Sequence, residues 1–261
     1  MEIRKDTILQ VALEQSAIDS SCSPEDFLKS TPVVTLSRPH PKARKYLSLP
    51  FDCNLTSYGS NVVASVSEPM REAVTSYLEA YPPEHCFETP HLQVLNDAAA
   101  EHDLRVCFMA EYFLPDPAAL RPLDCPFDLR VLHAPNFANL YLPAWSNALC
   151  EKRKELDVLG IGAYRNGELI GLAACSADCD TMWQIGVDVL PEYRRQGVAS
   201  CLTSRLALEI LEAGKIPFYC AAWSNVKSVR NAIKSGFRPA WVEVGLKSTA
   251  FVAEMNRRDP Q

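Results

Sequence analysis

Residues 187–199 read VDVLPEYRRQGVA, a short apolar strand that ends at a proline and leads into a basic, glycine-containing helix start. Backbone N–H groups in the first turn of a helix, together with the helix dipole, favour a bound anion. Arg194 and Arg195 add positive charge there, and Gly197 has no Cβ, so a phosphate oxygen can approach the backbone closely. The stretch therefore predicts a site for the pyrophosphate of a nucleotide-bearing cofactor.

The segment that follows predicts a helix from Arg194 to about Ala213. Its apolar residues recur at every fourth position, which is typical of a stripe that packs against a core and carries no function of its own. These residues are Val198, Leu202, Leu206 and Ile210.

Strands and helices alternate on both sides of this motif. Strands are predicted over 156–164 and 168–174, separated by Arg165-Asn166-Gly167, because Asn-Gly is the strongest short signal of a tight hairpin. A third strand is predicted over 181–189. After the helix, the pattern predicts a strand over 217–222, a helix over 226–235 and a strand over 237–246.

Taken together, these features resemble the GNAT N-acyltransferase superfamily. Arg194, Gly197 and Ala199 match its acyl-CoA-binding pattern, Gln/Arg-x-x-Gly-x-Gly/Ala, and a second matching element runs from Asn225 to Phe237. Residues 190–194 and 223–225 are similar to the glycine N-acyltransferase-like branch, and residues 236–241 to bacterial zwittermicin-resistance-type acetyltransferases. The resemblance covers the C-terminal half, whose order of elements is the one that the GNAT fold requires.

The resemblance implies acetyl-CoA as cosubstrate, no metal, and a primary amine of a small molecule as acceptor. The amine would attack the thioester directly, without a covalent enzyme intermediate. Backbone groups of Val187 and Val189 would hold the pantetheine arm like an added strand and polarise the thioester carbonyl. The residues expected to bind the cofactor are Val187, Val189, Arg194, Arg195, Gln196, Gly197, Val198, Ala199, Asn225 and Ser228.

The catalytic groups depart from the family pattern in two places. Ala232 stands where many relatives carry a tyrosine that protonates the leaving thiolate, and Trp183 stands where some carry a glutamate base. Asp188 is the first candidate base, since a polar residue between two valines of one strand faces away from their side. Asp180 and Glu243 are further candidates, and for each a solvated or structurally bonded carboxylate is the alternative.

Tyr219, on the next predicted strand, is the candidate proton donor, and its alternative is an aromatic ring at the edge of the core. Asn225 is also a suitable helix N-cap, and Ser228 a small packing residue. With the family tyrosine replaced, a catalytically weak acyl-CoA-binding regulatory module is the alternative function. Within the enzyme hypothesis, the sequence does not choose among glycine-like, antibiotic and other amine acceptors.

The proline-rich segment over 114–126 interrupts any periodicity and predicts a boundary between two domains. The predicted fold class is α/β (α+β), with a GNAT domain over 127–261 and a smaller α/β domain over 1–126. In the smaller domain, strands are predicted near 62–66 and 104–110, and helices near 70–81 and 92–99. This domain is expected to shape the acceptor pocket, and a degenerate second GNAT copy is one interpretation of it.

Composition excludes several classes of protein. Hydrophobic residues make up 48% of the 261 residues, which is enough for globular cores, and a net charge of −6 argues against nucleic-acid binding. No apolar run approaches the length of a membrane span. Ten cysteines without a secretory signal indicate a reducing, cytoplasmic location. Cys175 and Cys179 lack further metal ligands at a suitable spacing, and the oligomeric state stays open, with a homodimer as one option.

Overall fold

The computed structural model describes residues 4–257, which divide into two compact units. Unit 1 contains residues up to Ala12 and Tyr112–Pro239, and unit 2 contains Leu13–Glu111 and the segment from Ala240 onward. This division differs from the predicted boundary at residue 126. The proline-rich segment goes with the C-terminal half, and the last strand goes with the N-terminal half.

Contacts within unit 1 explain the placement of the proline-rich segment. The backbone N–H of Asp116 donates to the carbonyl oxygen of Gly236 at 2.8 Å. A Cβ added to Gly236 would lie 2.6 Å from the Cα of Leu120, so the two backbones are in direct contact. These contacts attach the segment to unit 1 at Asp116 and Leu120, although most of residues 117–126 are exposed.

Unit 1 contains five strands in the order β9-β8-β7-β6-β5. Strands β8 and β9 are parallel, and the other neighbouring pairs are antiparallel. The predicted stripe of α4 is fully buried against this sheet in one apolar cluster. The elements are β5 (Asp128–His133), β6 (Asp157–Arg165), β7 (Glu168–Ser176), β8 (Met182–Val189), α4 (Val198–Glu212), β9 (Ile216–Ala222) and α5 (Val226–Lys234).

The predicted helix start at Arg194 is four residues too early, since α4 begins at Val198. A single turn at Pro191–Tyr193 and a loop come first. Arg195 has φ 62° and Gly197 has φ 83°, and this left-handed backbone cannot continue a right-handed helix. In contrast, the predicted hairpin is confirmed: Asn166 and Gly167 have φ 52° and 86°, as a type I′ turn requires.

Unit 2 contains strands in the order β1-β3-β2-β10, in which β1 and β3 are parallel. Antiparallel pairing of β10 with β2, which includes Val244 opposite Leu55, brings the end of the chain into this unit. Its elements are β1 (Val33–Leu36), β2 (Cys53–Ser57), β3 (Val63–Val66), α2 (Arg71–Ala80), α3 (Thr89–Ala100) and α6 (Thr249–Met255). Three elements are divided between the units: α1 (Lys5–Ser20), β4 (Leu104–Pro115) and β10 (Phe237–Ser248).

A buried ion-pair cluster crosses unit 2. The Arg44 guanidinium pairs with Asp19 and, at 2.8 Å, with the Oε1 atom of Glu243. The same oxygen accepts a hydrogen bond from Trp241 Nε1 at 2.8 Å. Glu243, a candidate base from the sequence, is thus bound within the interior of unit 2, as its structural alternative requires. Among residues 4–257, no helix is both long and apolar enough to cross a membrane.

Candidate functional site

The site begins where the two parallel strands of unit 1 separate. Strands β8 and β9 pair from Met182 opposite Ile216 to Ile185 opposite Tyr219. None of the described residues of β9 pairs with Gly186–Val189, although β8 stays paired with β7 as far as Val189 opposite Gly171. One edge of β8 is therefore open over the residues predicted to bind a pantetheine arm.

A concave loop follows this open edge. Arg194 turns back on the strand, where its Nε donates to the carbonyl oxygen of Val189 at 2.8 Å. Arg195 and Gly197 both have a left-handed backbone in this loop. Such a backbone can turn neighbouring N–H groups toward one anion. Apart from Gly197 and its chain neighbours, the one heavy atom among residues 4–257 that lies within 4 Å of a Cβ built on Gly197 is Lys234 Nζ, at 3.9 Å. The space above Gly197 is open and has a cation beside it.

Lys234 is a functional candidate that sequence reasoning missed. It ends α5, and the side chains of Asn231 and of the C-cap residue Ser235 fix α5 against α4. Asn231 accepts from Ser200 Oγ at 3.1 Å and donates to Thr203 Oγ1 at 3.0 Å. Ser235 Oγ donates to the Ser200 carbonyl oxygen at 3.2 Å. A lysine in the last turn of a helix is ordinary in sequence, and only the packing of the two helices brings it to Gly197.

The remaining predicted cofactor residues lie on the same elements. Gln196 donates from Nε2 to the Glu192 carbonyl oxygen at 3.1 Å, Val198 is buried in the core, and Ala199 is half-buried in the first turn of α4. Asn225 is the N-cap of α5, since its Oδ1 accepts from Ser228 N at 3.2 Å. The capping alternative for Asn225 is thus present in the structure, and its cofactor role stays a prediction.

Tyr219 lies beside the point where the strands separate. Its hydroxyl is 2.8 Å from Ser228 Oγ, and its ring packs in the cluster that also contains the fully buried Ala232. Burial raises the pKa of the Tyr219 phenol above its ordinary value, because the anion would lose its hydration. The phenol therefore stays protonated at neutral pH, as a proton donor must.

Asp188 has a different environment from the one expected of an open base. Oδ2 accepts from the backbone N–H of Asn147 at 2.8 Å and of Ala148 at 3.0 Å, and Oδ1 accepts from Asn147 Nδ2 at 2.7 Å. All three bonds come from one segment, Pro143–Leu149, which is held against β8. The base role of Asp188 stays a prediction that the pH dependence of turnover tests.

The structure also places the other positions considered from the sequence, among which Asp180 is exposed and its base role stays a prediction. Trp183 packs against the core cluster, and Gln184 Nε2 lies 3.0 Å from the sulfur of Cys220. The Asp180 backbone carbonyl accepts from Lys215 Nζ at 2.7 Å. Burial raises the pKa of Cys175, which makes it a weak metal ligand. Within the described part of the chain, no cluster of three or more metal-ligating side chains occurs.

The sequence of unit 1 can be compared with known families. Residues 119–240 match the family model described as GNAT acetyltransferase. This match assigns a GNAT domain to residues 119–240. The GNAT domain lies in the C-terminal half, and the mixed α/β fold of the chain agrees with the predicted class. No curated protein matches the sequence at a significant level.

Several solved structures are similar to the chain. One is a GCN5-related N-acetyltransferase-like protein from Streptococcus suis, with 21% identity, a TM-score of 0.44, and coverage of 60% of this chain and 69% of that one. A GNAT-family acetyltransferase from Colwellia psychrerythraea is 17% identical over 55% of this chain and 57% of that one, with a TM-score of 0.42. A GCN5-related N-acetyltransferase from Sphaerobacter thermophilus is 12% identical over 92% of both chains, with a TM-score of 0.46. The chain thus spans little more than half the length of the Colwellia structure.

Proposed function

We propose that the protein transfers an acyl group, most simply acetyl from acetyl-CoA, to the primary amine of a small molecule. The observation that carries this proposal is the continuity of the open β8 edge with the loop at Gly197. An extended thioester arm can add to the edge as a strand does, while its pyrophosphate lies on the loop beside Arg195 and Lys234. A phosphorylated thioester cofactor fits both features at once.

The reaction needs a neutral amine, a polarised carbonyl and a proton for the thiolate. Backbone N–H groups along Val187–Val189 are the proposed donors to the developing oxyanion. Tyr219 is the proposed proton donor to the thiolate, with Ser228 holding its hydroxyl in place. The proton that the attacking nitrogen loses passes through solvent and restores the phenol. Direct attack of the amine then needs no covalent intermediate, since holding both substrates in contact can lower the barrier by roughly 7 to 11 kcal/mol.

The acceptor is proposed to be a small cationic amine. The net charge of −6 favours approach of cations over anions, and polyamine-like amines fit this sign. A reducing, cytoplasmic compartment is proposed because all ten cysteines are free thiols.

A second function, binding of acyl-CoA without turnover, is favoured by two observations. Both oxygens of Asp188 accept hydrogen bonds from Asn147 and Ala148, and Tyr219 is only 4% exposed. A module of this kind would signal the level of acyl-CoA to a partner.

Titration with acetyl-CoA, followed by a thiol-release screen against amino acids, polyamines and aminated antibiotics, separates the two functions. Binding with thiol release for one acceptor class supports the enzyme. Binding without release for any amine supports the module, and absence of binding overturns both.

A further inference from the structure

The segment Pro143–Leu149 lies on β8 at the position where β8 leaves β9. Gly186 is the first residue beyond the last pair, Ile185 opposite Tyr219. A Cβ added to Gly186 would clash with the carbonyl oxygen of Asn147 and would lie 3.2 Å from the Cα of Ala148. Glycine at this position therefore lets the segment touch the strand backbone.

Two sets of contacts hold the segment there. On its inner side, Trp145, Ala148 and Leu149 are buried in one apolar cluster with residues of β5 and β7. On its outer side, the Asp188 carboxylate accepts three hydrogen bonds. Two come from the backbone N–H groups of Asn147 and Ala148, and one from the side-chain amide of Asn147. Hydrogen bonds to a carboxylate are roughly twice as strong as neutral ones. Asp188 thus joins two parts of the chain that are about 40 residues apart.

We propose that Asp188 is a positioning residue, which holds Pro143–Leu149 in place as the wall that an acceptor amine meets. The inference rests on the proposed function, because the wall lies at the end of the open edge where an acyl group would be presented. It assigns to Asp188 the placement of the acceptor and not the removal of its proton. Asn147, exposed on this wall, is the residue placed to contact the acceptor.

The test compares Asp188→Ala with the unaltered protein. Residue-resolved hydrogen exchange should show the amides of Asn147 and Ala148 exchanging at least about tenfold faster in the variant, since their acceptor is gone. The acetyl-CoA Kd should stay within about threefold. For the acceptor found in the screen, KM should rise roughly tenfold or more, with an unchanged shape of the pH profile, because a small misplacement of a substrate is costly.

A second variant displaces the segment Pro143–Leu149 without altering a carboxylate. Gly186→Ala places a methyl group against Asn147 and should raise the acceptor KM in the same way, again with an unchanged pH profile. Asp128→Ala is the matched control, because this exposed aspartate of unit 1 pairs only with Arg130 among the described residues. If Asp188→Ala fails to fold, Asp188→Asn serves instead, since it keeps one acceptor oxygen and should release part of the segment.

The outcomes separate the hypotheses. Equal exchange of the Asn147 and Ala148 amides in Asp188→Ala and the unaltered protein overturns the positioning role. Loss of the acidic limb with an unchanged acceptor KM shows a general base instead. Absence of any turnover in the unaltered protein overturns the proposed function and the acceptor wall with it, while the exchange data still decide whether Asp188 holds the segment.

Discussion

Tyr219 and Ser228 place their hydroxyl oxygens 2.8 Å apart, one from the middle of β9 and the other from the first turn of α5. Because Asn225 caps that turn through Ser228 N, the serine hydroxyl has a fixed position. The pair thus places an oriented, protonated phenol on a strand of the GNAT domain.

Replacing Tyr219 with phenylalanine should lower kcat roughly 10- to 100-fold, the usual range for loss of a general acid, with the acetyl-CoA Kd little changed. Since burial raises the pKa of Tyr219, its ionisation should give no alkaline limb below about pH 10 in the unaltered enzyme. Steady-state thiol release measures both effects, and Tyr164→Phe, in the same unit, is the control. An unchanged kcat in Tyr219→Phe would remove the proton-donor role.

Gly197→Glu should abolish detectable acetyl-CoA binding, because the carboxylate would enter the open space proposed for the pyrophosphate. Calorimetric titration measures the affinity. Gly214→Glu is a matched control: Gly214 has φ 74°, close to the 83° of Gly197, and also has open space around its Cβ position. If the two variants weaken binding equally, backbone strain and not the anion site explains the loss.

Lys234→Gln should raise the acetyl-CoA Kd about fivefold to tenfold at low salt, and the difference should shrink as ionic strength rises. The reason is that Nζ lies 3.9 Å from the Cβ position of Gly197, within reach of an anion on the loop. Lys152→Gln, an exposed lysine of unit 1 outside the proposed binding segments, is the control. Equal effects of the two variants would indicate a general loss of positive charge and no specific contact.

The stability of unit 1 should depend on Asp157 in mildly acidic solution. Burial raises the pKa of this carboxyl to about 6, although it accepts from Cys150 N at 2.9 Å. A raised carboxyl pKa favours folding below the unfolded value near 4, and this contribution is lost as the pH rises through 6. Relative to Asp157→Asn, the unaltered protein should lose up to about 3 kcal/mol of unfolding free energy between pH 4 and pH 7.

Denaturant unfolding at several pH values measures this slope, with Asp128→Asn as an exposed control. A pH-independent difference between the unaltered protein and Asp157→Asn would contradict the raised pKa. The direction of the pH dependence is the decisive result. Most paired carboxylates have a lowered pKa, so their contribution to stability rises with pH instead of falling.

Local signals explain what the sequence could predict. Residues close together in the sequence determine three features that the structure contains. These are the Asn166-Gly167 turn, the apolar stripe of α4 and the order of elements from β6 to β10. The predicted start of α4 was wrong because Arg195 has a left-handed backbone, and its side chain gives no signal of that conformation. Strand β2 was missed because Asn54 and Thr56 are polar yet buried, so no alternation of polar and apolar residues marks it.

The site was only half predictable for a related reason. Arg194, Gly197 and Asn225 belong to a contiguous motif, whereas Lys234 reaches Gly197 across two helices and Asp188 meets Asn147 at a sequence distance of 41 residues. Contacts of this kind depend on tertiary packing. The alternation of Asp188 with two valines predicted the side of β8 on which its carboxylate lies. It could not predict that Asn147 and Ala148 cover that side.

The pairing of β10 with β2 also sets an order of events during synthesis. Unit 2 includes Leu13–Glu111, yet its sheet is complete only when residues 242–245 have left the ribosome. Residues 112–239 emerge before that and can assemble first. Throughout this interval β2 lacks its β10 partner, so the growing chain carries an open sheet edge in unit 2 while the GNAT domain assembles.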